Sequence, residues 1–252
     1  MPLMGDPPAD FLKSIPSFLT QAEIKSVKSI LIVSAHWEET TVTVSSSPKP
    51  AMLFDYYGFP RYTYEYKYDA PGNPELAKRI QNLCNNAQIP CNLDDKRGFD
   101  HATFVPLLLA YPEAKIPVVQ MSLHKDLDPS FHIALGEALA PLRDEVLIMG
   151  SGFSFHNLPA LLSRINSNAV MKKSEKFDTW LQSTMLQNEY DKTKKALIGW
   201  KKNAPEALYA HPREEHLVPL FVAFGASKGS STVLSIYNDF VLHAKVSAFM
   251  FR

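Results

Sequence analysis

The side chains in this chain best suited to chemistry are its histidines. There are eight, at positions 36, 101, 124, 132, 156, 211, 216 and 243. A neutral imidazole ligates divalent metals, and its protonation changes near neutral pH, so it also serves as an acid or base. His36 closes the run "SILIVSAHWEE", in which a strand-forming segment leads directly to an imidazole. His156 follows "GSGFSF" just beyond another apolar run, "EVLIMGS". In open α/β sheets, ligands bind beyond the carboxyl ends of the strands. His36 and His156 are therefore expected to reach one sheet edge from separate strands. His101, after "RGFD", and His216, in "HPREEHLVPL", complete the set expected to share a site. A histidine taken alone is more often a hydrogen-bonded structural residue. That reading is kept for His124, His132 and His243, which fall in a loop, on a polar helix stretch and in a late strand.

The spacing excludes several motifs. His211 and His216 are five apart, so "HPREEH" is not the zincin pattern H-E-x-x-H. On one helix, five residues turn two side chains roughly 140° apart. The pair can cooperate only if His211 precedes the helix, which Pro212 allows. No G-x-S-x-G elbow, phosphate-binding loop or dinucleotide fingerprint is present.

The elements that must position these residues follow from the apolar pattern. Val27–Ser34, Ile116–Leu123 and Glu145–Ser151 read as buried strands. Thr41–Ser45 alternates and is expected as a half-buried strand beside the first. Tyr62–Tyr68, "YTYEYKY", alternates too and reads as an edge strand or a pocket wall. Asn73-Pro74 and Asp128-Pro129 are cap-proline helix starts. "HATFVPLLLAYP" reads as a short helix, 170–186 and 192–201 as amphipathic helices, and Pro212 as the start of another. "STVLSIY" and "KVSAFMF" close the chain as strands. Strands alternating with helices predict an α/β fold: one domain over residues 1–252, with a central, mainly parallel or mixed sheet flanked by helices.

With 252 residues and 46% apolar content, the chain is long enough to build such a core. Lys plus Arg and Asp plus Glu number 26 each, which leaves no electrostatic footprint for nucleic acid or a membrane surface. The apolar runs are too short to span a bilayer, and the first residues lack the pattern of a secretory signal. Cys84 and Cys91 match no zinc or redox spacing and fit a reducing compartment, so a cytoplasmic location is expected. The oligomeric state is not legible.

The blocks "VSAHWEE", "YDAPGNPELA", "GFDHATFVPLLLAYPEAKIPVVQMSL", "GSGFSFHNL" and "HPREEHLVPLFVAFGA" occur in this order. Together they resemble the 4,5-DOPA extradiol dioxygenase family. This is a branch of the class III extradiol ring-cleavage enzymes, related to the B subunit of protocatechuate 4,5-dioxygenase. The resemblance implies a mononuclear non-haem metal, Fe2+ for catalysis with Zn2+ as another bound ion, and a catechol of DOPA type plus O2 as substrates. It implies His36, His156 and His216 as metal ligands, and His101 and His156 as acid–base residues. His211 and Tyr57 would contact substrate, with the aromatic run Phe54–Tyr68 supplying ring faces.

Family members usually begin with a strand ending in an "HG-S/A-P" segment whose histidine is a further ligand. No histidine precedes His36 here. The expectation is an N-terminally short chain, with metal binding and activity impaired and a bare sheet edge beside Val27–Ser34. Asp6 or Asp10 is the candidate substitute ligand. Two alternatives stand beside the enzyme: a non-catalytic metal- or catechol-binding protein on the same scaffold, and a metal-dependent hydrolase.

Overall fold

A computed structural model describes residues 7–163, 167–230 and 232–252. The fold is α/β, and the chain divides into two compact units. One comprises Met1–Asp126 with Ala138–Ser151, the other Leu127–Glu137 with Gly152–Arg252.

The first unit begins with helices α1 (Pro7–Ser14) and α2 (Gln21–Ser26), then strands β1 (Ser29–Glu39) and β2 (Val42–Ser45). Helix α3 (Pro74–Asn86), strand β3 (Cys91–Asp94), helix α4 (His101–Ala110) and strand β4 (Val118–His124) follow. After helix α5 (Pro129–Leu139), which belongs largely to the second unit, β5 (Val146–Ser151) completes a five-stranded sheet of order β3-β2-β4-β1-β5. The sheet is mixed. β1 runs parallel to both β4 and β5, and β2 is parallel to β3, but β2 meets β4 antiparallel.

Three local expectations are corrected. β2 is not beside β1, because β4 lies between them, and it is buried along its whole length rather than half-buried. Val27–Ser34 borders no bare edge, because β1 is paired on both sides. Tyr62–Tyr68 forms no strand. Arg61–Tyr64 is a single 3-10 turn in which Thr63 is buried and donates its hydroxyl to the Pro60 carbonyl at 2.8 Å. The Tyr56 hydroxyl donates to the Thr63 carbonyl at 2.5 Å, so the local backbone is satisfied without a ladder.

Sequence accounts for the rest of this unit. Asn73 caps α3 by accepting the Leu76 N–H at 3.0 Å, with Pro74 in the first turn. Ile30 and Ile32 of β1, Val118 of β4, and Phe99, Phe104 and Leu107 form one core cluster with no exposed surface. Each such side chain contributes roughly 1.5–3 kcal/mol by leaving water.

The second unit holds α6 (Leu158–Leu162), α7 (Ser167–Met185), α8 (Tyr190–Ile198), α9 (Trp200–Asn203), α10 (Ala207–Ala210) and α11 (Val218–Ala226). The hairpin β6 (Val233–Val241) and β7 (Ala244–Phe251) closes it. Helices α5 and α11 pack backbone to backbone at Gly136 and Gly225, where an added Cβ would meet carbonyl oxygens at 2.1 Å. Pro212 does not start α11, which begins only at Val218 with Pro219 in its first turn. Residues 211–217 are instead a turn segment, closed by Leu217 N–H donating to the Glu214 carbonyl at 2.8 Å.

Candidate metal and acid–base site

His36 does not lie past its strand as expected but within β1, in the irregular stretch between Val33 and Glu38 where the register with β4 shifts. Its backbone N–H turns to the Ser34 hydroxyl at 3.1 Å. The next side chain, Trp37, is 2% exposed, and its indole N–H donates to Glu39 at 2.8 Å. The Arg97 guanidinium lies 4.5 Å from the Trp37 ring centroid. The strand thus buries Trp37 while His36 keeps a partly open side chain.

Behind His36, the buried Asp100 carboxylate gathers three elements. It accepts from Ser34 of β1 at 2.8 Å, from Gln120 of β4 at 2.8 Å and from Arg97 at 3.1 Å. Its other oxygen caps α4 through the Thr103 N–H. A buried charge held by this many donors is well compensated. The same residue places His101 as the first residue of α4.

His36 and His101 therefore come together, with ring centroids 4.0 Å apart in a T-shaped arrangement. Between them sits Asp55, a residue the sequence did not single out. Asp55 Oδ1 lies 2.8 Å from His101 Nδ1 and accepts the His101 backbone N–H at 2.9 Å, while Oδ2 lies 3.3 Å from His36 Nδ1. Burial alone would raise the Asp55 pKa, but the bonds from His101 and His36 outweigh it and hold the carboxyl well below the usual carboxylate range. Tyr56 stands edge-on to His101 at 5.5 Å. Tyr57, the expected substrate contact, is 91% exposed.

The second unit carries a parallel constellation. His156 and His216 stack with centroids 3.4 Å apart and planes at 16°. Glu215 Oε1 lies 2.9 Å from His216 Nδ1 and 3.4 Å from His156 Nδ1. Burial would raise the Glu215 pKa, yet hydrogen bonds from His156 and His216 keep it well below the ordinary range. The backbone here depends on Gly152: Phe153 N–H donates to the His216 carbonyl at 2.8 Å, and a Cβ on Gly152 would meet that oxygen at 2.1 Å. The only sequence signal for Glu215 was its place next to His216. Asp55 had none, being enclosed in an aromatic run without metal-ligand spacing.

His211 departs from its expected role at the substrate. It is fully buried against Phe177 and Trp200, and its Nε2–H donates to the Ser154 carbonyl at 2.9 Å. Burial pushes its pKa down to about 4, so the ring is neutral at physiological pH. It has no surface to offer a substrate. His132 is likewise buried, with Nδ1 2.7 Å from the Asp128 carbonyl, and His243 sits in the β6–β7 turn at φ 75°. Asp6 lies outside the described residues. Asp10 is an exposed residue of α1 paired with Lys13 at 3.1 Å.

Among the described residues, two groups can bring three metal-binding atoms within 4.8 Å of one another: His36, Asp55 and His101, and His156, Glu215 and His216. Imidazole and carboxylate donors suit Fe2+ and Zn2+.

The chain is also similar to several known proteins. The chain is 42% identical over 217 residues to the 4,5-DOPA dioxygenase extradiol of Beta vulgaris, covering 85% of this chain and 79% of that protein. It is 41% identical to its Portulaca grandiflora counterpart, covering 84% and 77%. A dioxygenase of Hapsidospora irregularis is 35% identical over 246 residues, covering 90% and 74%. The crystal structure of an uncharacterized protein from Escherichia coli K12 superposes with a TM-score of 0.76 at 24% identity, over 98% of this chain and 93% of that one, and so shares the fold. Residues 5–250 match the model of the catalytic LigB subunit of aromatic ring-opening dioxygenase, and the chain belongs to that family of aromatic ring-opening dioxygenases.

Proposed function

We propose that this chain is a metal-dependent, non-haem extradiol dioxygenase that opens the ring of a DOPA-like catechol with O2, its residues 1–252 acting as one LigB-like catalytic domain. The observation that carries the reading is that paired imidazoles recur with a carboxylate in each unit, in a chain of this family. The donor candidates are His36, His156 and His216. Relatives named as 4,5-DOPA dioxygenases support the catechol substrate.

When bound, Fe2+ would supply the open coordination positions and the redox step between catechol and O2, whereas Zn2+ would supply only the former. The protein's own part is proton handling and orientation. His101, with Nδ1 turned to Asp55, presents Nε2 as the nitrogen that takes a proton from a catechol hydroxyl. His156 is the second acid–base candidate. Tyr56 and the exposed ring of Tyr57 offer aromatic faces to the substrate. Among the described residues no helix is long and apolar enough to cross a membrane. Both cysteines are free and buried, which supports the cytoplasmic reading.

The test is a catechol panel followed by product absorbance with the Fe2+-loaded and the Zn2+-loaded protein. A ring-opened chromophore with iron alone supports the proposal. Catechol binding without turnover would instead favour the non-catalytic binding protein.

A further inference from the structure

Asp55 contacts both imidazoles of the first constellation on the same ring atom. Its Oδ2 faces His36 Nδ1 at 3.3 Å, and its Oδ1 faces His101 Nδ1 at 2.8 Å. A carboxylate can only accept, so each Nδ1 must carry the proton. In a neutral imidazole the lone pair then sits on Nε2. Asp55 Oδ1 is also anchored by the His101 backbone N–H at 2.9 Å, which ties the carboxylate to the start of α4. Both carboxylate oxygens are thus engaged with imidazoles.

We propose that Asp55 is a positioning residue that sets one tautomer, protonated at Nδ1, on His36 and His101 together, so that His36 donates to the metal and His101 accepts the substrate proton through Nε2. The inference rests on the roles given to His36 and His101 above and adds the residue that makes both roles simultaneous. Carboxylates that orient metal-bound imidazoles typically change metal affinity by 10–100-fold when removed. A direct ligand would cost far more.

Two measurements test this on the full chain. In metal-free, histidine-15N-labelled protein at mildly alkaline pH, long-range 1H–15N correlation spectra should show His36 and His101 protonated at Nδ1. Asp55→Ala should return both toward the mixture of tautomers seen in free imidazole, while His156 and His216 keep their signals. Unchanged tautomers in Asp55→Ala would overturn the proposal. The second measurement is Co2+ affinity. Asp55→Ala should lose about 10–100-fold. A loss as complete as that of His36→Ala would make Asp55 a ligand and overturn the positioning role. If the tautomers shift but Co2+ affinity stays at the wild-type value, Asp55 sets the rings as proposed, and it is the reading of His36 as a metal donor that fails. Asp55→Glu, which keeps the acceptors on a longer arm, should restore the tautomers at least in part.

Discussion

The two constellations solve the same problem, two imidazoles held by one carboxylate, with opposite architectures. In the first, His36 and His101 are delivered by a central strand and a helix N-terminus, and Asp55 gives each ring its own oxygen. In the second, the Glu215 Oε1 is shared between stacked rings, and His216 rides on a turn rather than a regular element. The first is fixed by sheet and helix geometry with a buried polar network behind it. The second is fixed by backbone approach at Gly152 and by the packing around His211. The difference implies that the two can be broken separately.

The largest expected effect is on the first. Asp100→Ala strips the acceptor from Ser34, Gln120 and Arg97 and removes the α4 cap. Leaving Arg97 without its buried partner should cost about 3–5 kcal/mol, read as a lower denaturation midpoint. The His36 and His101 resonances should shift, with those of His156 and His216 unmoved. Movement of all four would show that the two regions are not independent.

Acid should find the second constellation through His211. Its folded-state pKa of about 4 lies below the ordinary imidazole value. Between about pH 6.5 and pH 4 the unfolded chain takes up a proton that the folded chain refuses. Stability is therefore full above about pH 6.5 and falls as pH drops toward 4, by up to about 3 kcal/mol. His211→Gln should flatten that slope in unfolding curves recorded across the window. Asp55 and Glu215, held below the carboxylate range, lose their contribution only at still lower pH.

The smallest effect is expected at Arg213, which pairs with Glu215 Oε2 at 3.3 Å from a half-exposed side chain. Arg213→Ala should cost less than about 1 kcal/mol, since exposed ion pairs contribute little. The orientation of His156 and His216 should survive in their 15N spectra. Loss of that orientation would make Arg213 part of what fixes Glu215.

The same contrast explains what the sequence revealed. β1, β4 and β5 were legible because strands buried in a parallel arrangement read as continuous apolar runs. Asn73-Pro74 and Asp128-Pro129 marked their helices because caps are local chemistry: each carboxamide or carboxylate accepts an N–H of the first turn it precedes. "YTYEYKY" misled because its first residues close as a 3-10 turn, and the Thr63 carbonyl there accepts from the Tyr56 hydroxyl instead of from a neighbouring strand. Pro212 misled because the proline that begins α11 is Pro219. The histidines were visible as residue types. Asp55 was not, since its partners lie 19 and 46 positions away and meet it only through the fold.

The central claim, ring opening of a catechol by a metal-loaded chain, is tested most directly with an oxygen electrode. Fe2+-reconstituted protein should consume one O2 per catechol oxidised, and the Zn2+-loaded protein none. No O2 uptake with any catechol, or equal turnover with zinc, would contradict it.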